Sequence, residues 1–268
     1  MTQFQKTIKY LAIAFALFLA ASIILGTISF FGGIFMFSNN ILDEHYEVSV
    51  SQNIETIEID VSAADLKIVE GDKFTLSTNI KDLKVTNNNG KLDIYQKQRG
   101  VFFSFNKSGE ILLTIPAGAS IKSFDLEAGA GKVNIIGSLE CQYASFEFGA
   151  GQVDIEKLVV TNECKIETGA GQITINDGAI NDLDFDMGVG ESNIRALLLG
   201  NCKLNGGVGE FNLELLSPAD DYRLDIDTGI GSLTVDGSRV DSNRVWGNGK
   251  NNVKIDGGVG AINIVFEK

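Results

Sequence analysis

Six acids recur with the rhythm of the chain: Glu127, Glu147, Glu167, Asp186, Asp227 and Asp256 each stand two residues before a Gly-x-Gly triplet. Asn205 holds the seventh such place, and Asp60 the equivalent place upstream. Carboxylates stacked in one column can share a hard cation such as Ca²⁺ through oxygens at about 2.3–2.6 Å, weakly where no loop is built around the ion. They can equally form a solvated face whose like charges discourage edge-to-edge aggregation. Four residues before each glycine stand Asp125, Ser145, Lys165, Asp184, Lys203, Asp225 and Lys254, so lysines offset only part of the repulsion.

Other chemistries fit poorly. A dinucleotide site needs a third glycine three residues beyond Gly-x-Gly, opening a helix, whereas Lys132-Val133-Asn134 runs on as a strand. GGVGAINIV, residues 257–265, resembles a calcium-binding nonapeptide, but Ile262 stands where the aspartate ligand belongs. With 1 His and 3 Cys there is no metal-ligand cluster of the zinc type and no thiol-catalytic pattern. Cys164 and Cys202 share an inward column two coils apart, beyond disulfide reach, and read as buried thiols; Cys141 lies on another side of its coil. His45 reads as a solvated linker residue. The chain carries 22 basic and 35 acidic residues, a net charge of -13, which argues against nucleic acid as a partner. No catalytic residue and no cofactor is expected, weak Ca²⁺ binding aside.

Two irregular segments could hold a partner. Residues 97–109 place Phe102, Phe103 and Phe105 among Lys97, Arg99 and Lys107, a composition suited to a membrane surface or a partner groove, or to an ordinary strand whose aromatics cover the coil below. Residues 236–252 carry Trp246, which could stack on a sugar or seal a loop or an end of the fold.

The elements that must position these residues follow from the repeat. Seven triplets, Gly129/Gly131, Gly149/Gly151, Gly169/Gly171, Gly188/Gly190, Gly207/Gly209, Gly229/Gly231 and Gly258/Gly260, are separated by 20, 20, 19, 19, 22 and 29 residues. A period near 20 marks one supersecondary unit stacked on the next. Alternating apolar and polar residues on both sides of each triplet predict two short strands meeting at a glycine corner. Leu126, Phe146, Ile166, Phe185, Leu204, Ile226 and Ile255 form one core column, and Ile135, Ile155, Ile175, Ile194, Leu213, Val235 and Ile264 another. The middle residues, from Ala130 to Val259, are expected to point inward at the corner. Asn134, Asp154, Thr174, Asn193, Asn212, Thr234 and Asn263 are expected outward, able to bond up and down their column. Residues 57–68 and 83–94 match the unit in degenerate form. The expected fold is all-β: a parallel, right-handed β-solenoid of about nine coils with Gly-x-Gly corners, or, as the alternative, a meander of hairpins turning at each triplet.

Ahead of it, residues 10–37 carry no charge, and at about 1.5 Å per residue make about 42 Å of helix, enough to cross a membrane. Apolar residues continue past Ala20 and Ala21, which favours an anchor over a cleaved signal peptide. Lys6 and Lys9 precede the segment while Asp43, Glu44 and Glu47 follow it, so residues 1–9 read as a cytoplasmic tail, 10–37 as the transmembrane helix, 38–53 as a linker and 54–268 as an extracytoplasmic solenoid.

The N-terminal anchor, the phrase ILLTIPAG and the strand/Gly-x-Gly/strand unit together resemble the bacterial putative-adhesin family of DUF4097-type β-solenoid domains, over residues 54–268. Members with this anchor are similar to Firmicutes envelope proteins, some linked to envelope stress. The resemblance implies a non-enzymatic, adhesin-like surface module binding an envelope protein or glycan, and supplies no catalytic or ligand residue. A polysaccharide-active β-helix enzyme is the alternative.

Overall fold

A computed structural model describes residues 41–96, 109–240 and 244–267. Among them no helix is long and apolar enough to cross a membrane, and the expected anchor 10–37 lies outside them. The chain runs through β1 (Ile41–Val48), β2 (Thr56–Ala63), β3 (Asp65–Gly71), β4 (Thr75–Ile80), β5 (Leu83–Asn88), β6 (Lys91–Gln96) and β7 (Glu110–Pro116). The long winding β8 (Ile121–Ile175) follows, then β9 (Gly178–Asn181), β10 (Leu183–Leu199), β11 (Asn201–Asn205) and β12 (Val208–Leu215). It ends with β13 (Tyr222–Asp227), β14 (Ile230–Val235), β15 (Ser238–Val240), β16 (Arg244–Trp246), β17 (Asn251–Asp256) and β18 (Val259–Phe266).

Equivalent positions pair in parallel and in register: Phe185 lies beside Ile166 and Leu204, and Gly190 beside Gly171 and Gly209. Strict register follows from burial, because a slip of one residue would turn each core column to solvent. Both predicted core columns are buried throughout, packed with rings such as Phe124 and Phe146, whose centroids are 5.6 Å apart. A third side is formed where β9 lies between β8 at Val159 and β10 at Leu198.

The stack does not follow chain order at its ends. On the first face the sequence of neighbours is β6, β2, β8, β10, β11, β17, β13; on the second it is β7, β3, β8, β10, β12, β18, β14. The last coil in the sequence is therefore an inner layer, and the 29-residue interval is the connection that carries the chain out and back. The outermost strands are covered by antiparallel partners: β5 on β6, β4 on β7 and β1 on β4 at one end, β16 on β13 and β15 on β14 at the other. Such caps hide edges that would otherwise template another chain.

Two expectations are corrected here. Residues 83–94 are not a coil but a hairpin, because Asn89 (φ 52) and Gly90 (φ 79) form the two-residue turn whose twist matches antiparallel strands. Only its second strand, β6, joins the stack. The stretch read as linker, 38–53, contributes β1, a strand of the end cap.

Candidate functional site

Side chains alternate across a strand, so each face of the stack exposes every second residue as a column. The acid column is outward, as expected: Asp60, Glu127, Glu147, Glu167, Asp186, Asn205, Asp256 and Asp227 are all exposed or half-buried. Its spatial order differs from chain order, with Asp256 between Asn205 and Asp227. Neighbours neutralise part of it. Lys165 pairs with Glu167, Lys254 meets Asp256 at 2.6 Å, and the Asn205 amide donates to Asp186 Oδ1 at 2.5 Å.

Among the described residues, carboxylates crowd one another at the β6 end. There Glu58 lies between Asp93 and Asp125, and Asp60 beside Glu127. Partial burial, reinforced by Glu58, raises the Asp60 carboxyl above its ordinary value; burial, then Glu58 and Glu147, raise Asp125. For Glu127 the Asp60 charge is the leading cause of an upward shift. Lys91 bridges Glu58 at 2.7 Å and Asp93 at 2.6 Å, and its ammonium form is correspondingly favoured. Among the described residues no group of three His, Cys, Asp or Glu side chains converges as a metal site.

The neighbouring face carries the expected polar ladder. Thr234 Oγ1 donates to Asn263 Oδ1 at 2.6 Å, Asn263 Nδ2 to Asn212 Oδ1 at 2.7 Å, and Asn212 Nδ2 to Asn193 Oδ1 at 2.8 Å. Arg195, bonded through Nε to Glu214 at 3.0 Å, helps wall a shallow groove of about 340 Å³ along this ladder. Nearer the β7 end, His45 pairs with Glu110 at 3.2 Å beside a groove of about 420 Å³ that also includes Asp65 and Lys67.

Between the two faces run the corners. The second glycine of most triplets has positive φ, +141° at Gly171, and an added Cβ there would stand 1.9 Å from the Gly151 carbonyl oxygen. Backbone therefore packs on backbone along the column, a contact that no side chain permits. The middle residues do not point inward as expected. Val189, Val208, Val259 and Ile230 are 57%, 49%, 48% and 75% exposed. The reason lies in parity: odd positions before the triplet face the core, even positions after it do, and the alternation resets at the corner. Both sets of core columns were present in the sequence, so this reversal was available to reading.

Cys141, Cys164 and Cys202 are free and buried; burial pushes Cys141 to about 12, Cys202 to about 11, and Cys164 upward as well, so none is a ready nucleophile. Trp246 is placed opposite Leu224 on β13 and packs against the core at the end of the stack. Phe102, Phe103 and Phe105 lie outside the described residues.

No curated protein matches the chain. Solved structures similar to it include a "putative cell adhesion protein" from Clostridium sporogenes, 16% identical, covering 84% of this chain and 99% of that one, with a TM-score of 0.33. A "putative adhesin" from Bacteroides fragilis is 15% identical over 85% of this chain and 98% of its own, with a TM-score of 0.44. A "putative lipid binding protein" from Parabacteroides distasonis is 14% identical over 84% and 96%, with a TM-score of 0.31. The Toastrack DUF4097 family matches residues 54–244, most of the described stack, and the chain belongs to that family.

Proposed function

We propose that the chain is a non-enzymatic module anchored in a membrane by residues 10–37, with its N-terminus in the cytoplasm and its stack outside, which binds an envelope protein or glycan and couples that binding to the state of the envelope. The observation that carries this reading is the register of the outward columns: equivalent side chains repeat layer upon layer on a rigid scaffold capped at both ends. Such a surface suits binding to an extended or repeating partner. Acid–base chemistry needs a few groups of different character converging on one point, whereas these carboxylates are spread along the stack. The anionic face is also the proposed place for weak Ca²⁺ association, centred on Asp60, Glu127 and Glu147, for which no ion pair comparable to that of Lys165 or Lys254 is found among the described residues. The reading is tested by chemical crosslinking on intact cells with the full-length chain, together with incubation of the purified chain with envelope polysaccharide. A reproducible crosslinked partner and intact glycan are expected; glycan cleavage would establish the polysaccharide-active alternative instead.

A further inference from the structure

One corner column changes character along the stack. Its neighbours in register run Ala63, Ala130, then Ala170, Val189, Val208, Val259 and Ile230, so the last four form an unbroken aliphatic ridge. The corner itself does not require these side chains, since alanine serves the same position at Ala130, Ala150 and Ala170. These four residues are nonetheless 48% to 75% exposed. Contiguous exposed apolar surface of this kind marks an interaction site.

Its flanks say what it would accept. Asp186, Asp256 and Asp227 line one side, and Glu191 and Glu210 half of the other, all exposed or half-buried. Lys203 and Lys254 lie one column further out, and Lys254 is held by Asp256. Two copies of this ridge face to face would oppose acid to acid, and an anionic membrane would be repelled in the same way; a cationic partner is attracted. Spacing narrows the partner further. The layer step of about 4.8 Å is close to the 5.4 Å turn of an α-helix and shorter than the roughly 6.7 Å between same-side residues of a strand.

We propose that the ridge Val189–Val208–Val259–Ile230 is a docking site for a basic amphipathic helix of a protein partner, whose apolar stripe lies along the ridge and whose lysines or arginines meet the acidic flanks. The proposal names a partner class for the binding scaffold described above and rests on that reading.

The test uses the full-length chain in nanodiscs of zwitterionic lipid, with empty discs as the reference, and a fluorescent synthetic helix bearing a narrow leucine stripe on a lysine-rich background. The same helix with glutamate for lysine is the charge control. The lysine helix is expected to bind the loaded discs above the empty ones, and the glutamate helix not to. Val189→Ala, Val208→Ala, Ile230→Ala and Val259→Ala combined copy the alanine corners of the same stack, so the fold is retained; the lysine helix should bind this variant at least tenfold more weakly at an unchanged melting temperature. Equal binding to the variant would reduce the effect to bulk charge and overturn the proposal. So would equal binding of the glutamate helix, equal binding to empty discs, or self-association of the chain that the four alanines abolish in place of helix binding. None of these outcomes bears on glycan cleavage or on the crosslinked partner, which test the scaffold reading separately.

Discussion

Gly260 stacks on Gly209: a Cβ added to Gly260 would stand 1.7 Å from the Gly209 carbonyl oxygen, and Gly231 packs in the same way on Gly260. The last coil is thereby locked between two earlier ones. A crosslinking pair reads this order directly. Asn212→Cys with Asn263→Cys joins adjacent layers, about 4.8 Å apart, and should form a disulfide under mild oxidation. Asn212→Cys with Thr234→Cys spans two layers, about 9.6 Å and beyond disulfide reach, and should not. Mass spectrometry of the oxidised chains distinguishes the two, and the reverse result would restore a stack in chain order.

Gly171→Val meets both a positive φ and the Gly151 carbonyl. The loss expected is about 3 kcal/mol or more, from strain and from forcing two layers apart. Gly118 also has positive φ, +69°, but open space where its Cβ would be. Gly118→Ala should cost only about 1 kcal/mol, the conformational part alone. Thermal or urea unfolding gives both values, and similar losses at the two sites would remove the close-packing argument.

Acid pH should relieve the face around Asp125 and Glu127. Their carboxyls are raised above ordinary values of 3.8 and 4.5, so in the window between ordinary and raised values the fold holds more protons than the unfolded chain. Stability therefore falls as pH rises through that window, and the penalty is absent below the ordinary values. Asp125→Asn with Glu127→Gln should melt higher than the parent at neutral pH, by less than about 1 kcal/mol per screened pair, with the difference closing on acidification. A difference that widens toward acid pH would contradict the assignment.

Much of the architecture was legible because burial writes itself into a repeat. A side chain such as Phe185 has an equivalent in each coil, and the glycines mark where backbones touch. The ends were less legible for a physical reason: strand pairing is set by which edges meet in space, and the interval before Gly258 shows only that extra chain is present, not that it returns between two layers. The hairpin at Asn89-Gly90 was concealed by alternation that a coil strand and a hairpin strand share, although the Asn-Gly turn itself was in view. The acid column was readable residue by residue. Its uneven charge was not, since the partners that decide it, such as Glu58 beside Asp125, come together only through the displaced order of β6 and β2.

Divalent cations separate binding from screening on the same face. Millimolar Ca²⁺ is expected to raise the melting temperature of the full-length chain more than sodium chloride of matched ionic strength, and Glu127→Gln with Glu147→Gln to remove most of the excess. Equal effects of the two salts would leave a repulsive face and no ion association.

The most direct test of a stack displayed outside the membrane uses the silence of the native thiols. Cys141, Cys164 and Cys202 are buried, so a membrane-impermeant maleimide should leave the folded parent unlabelled. Glu147→Cys places one thiol on the exposed acid column. Intact protoplasts carrying this variant should be labelled as fully as lysed ones; labelling that appears only after lysis would contradict the account.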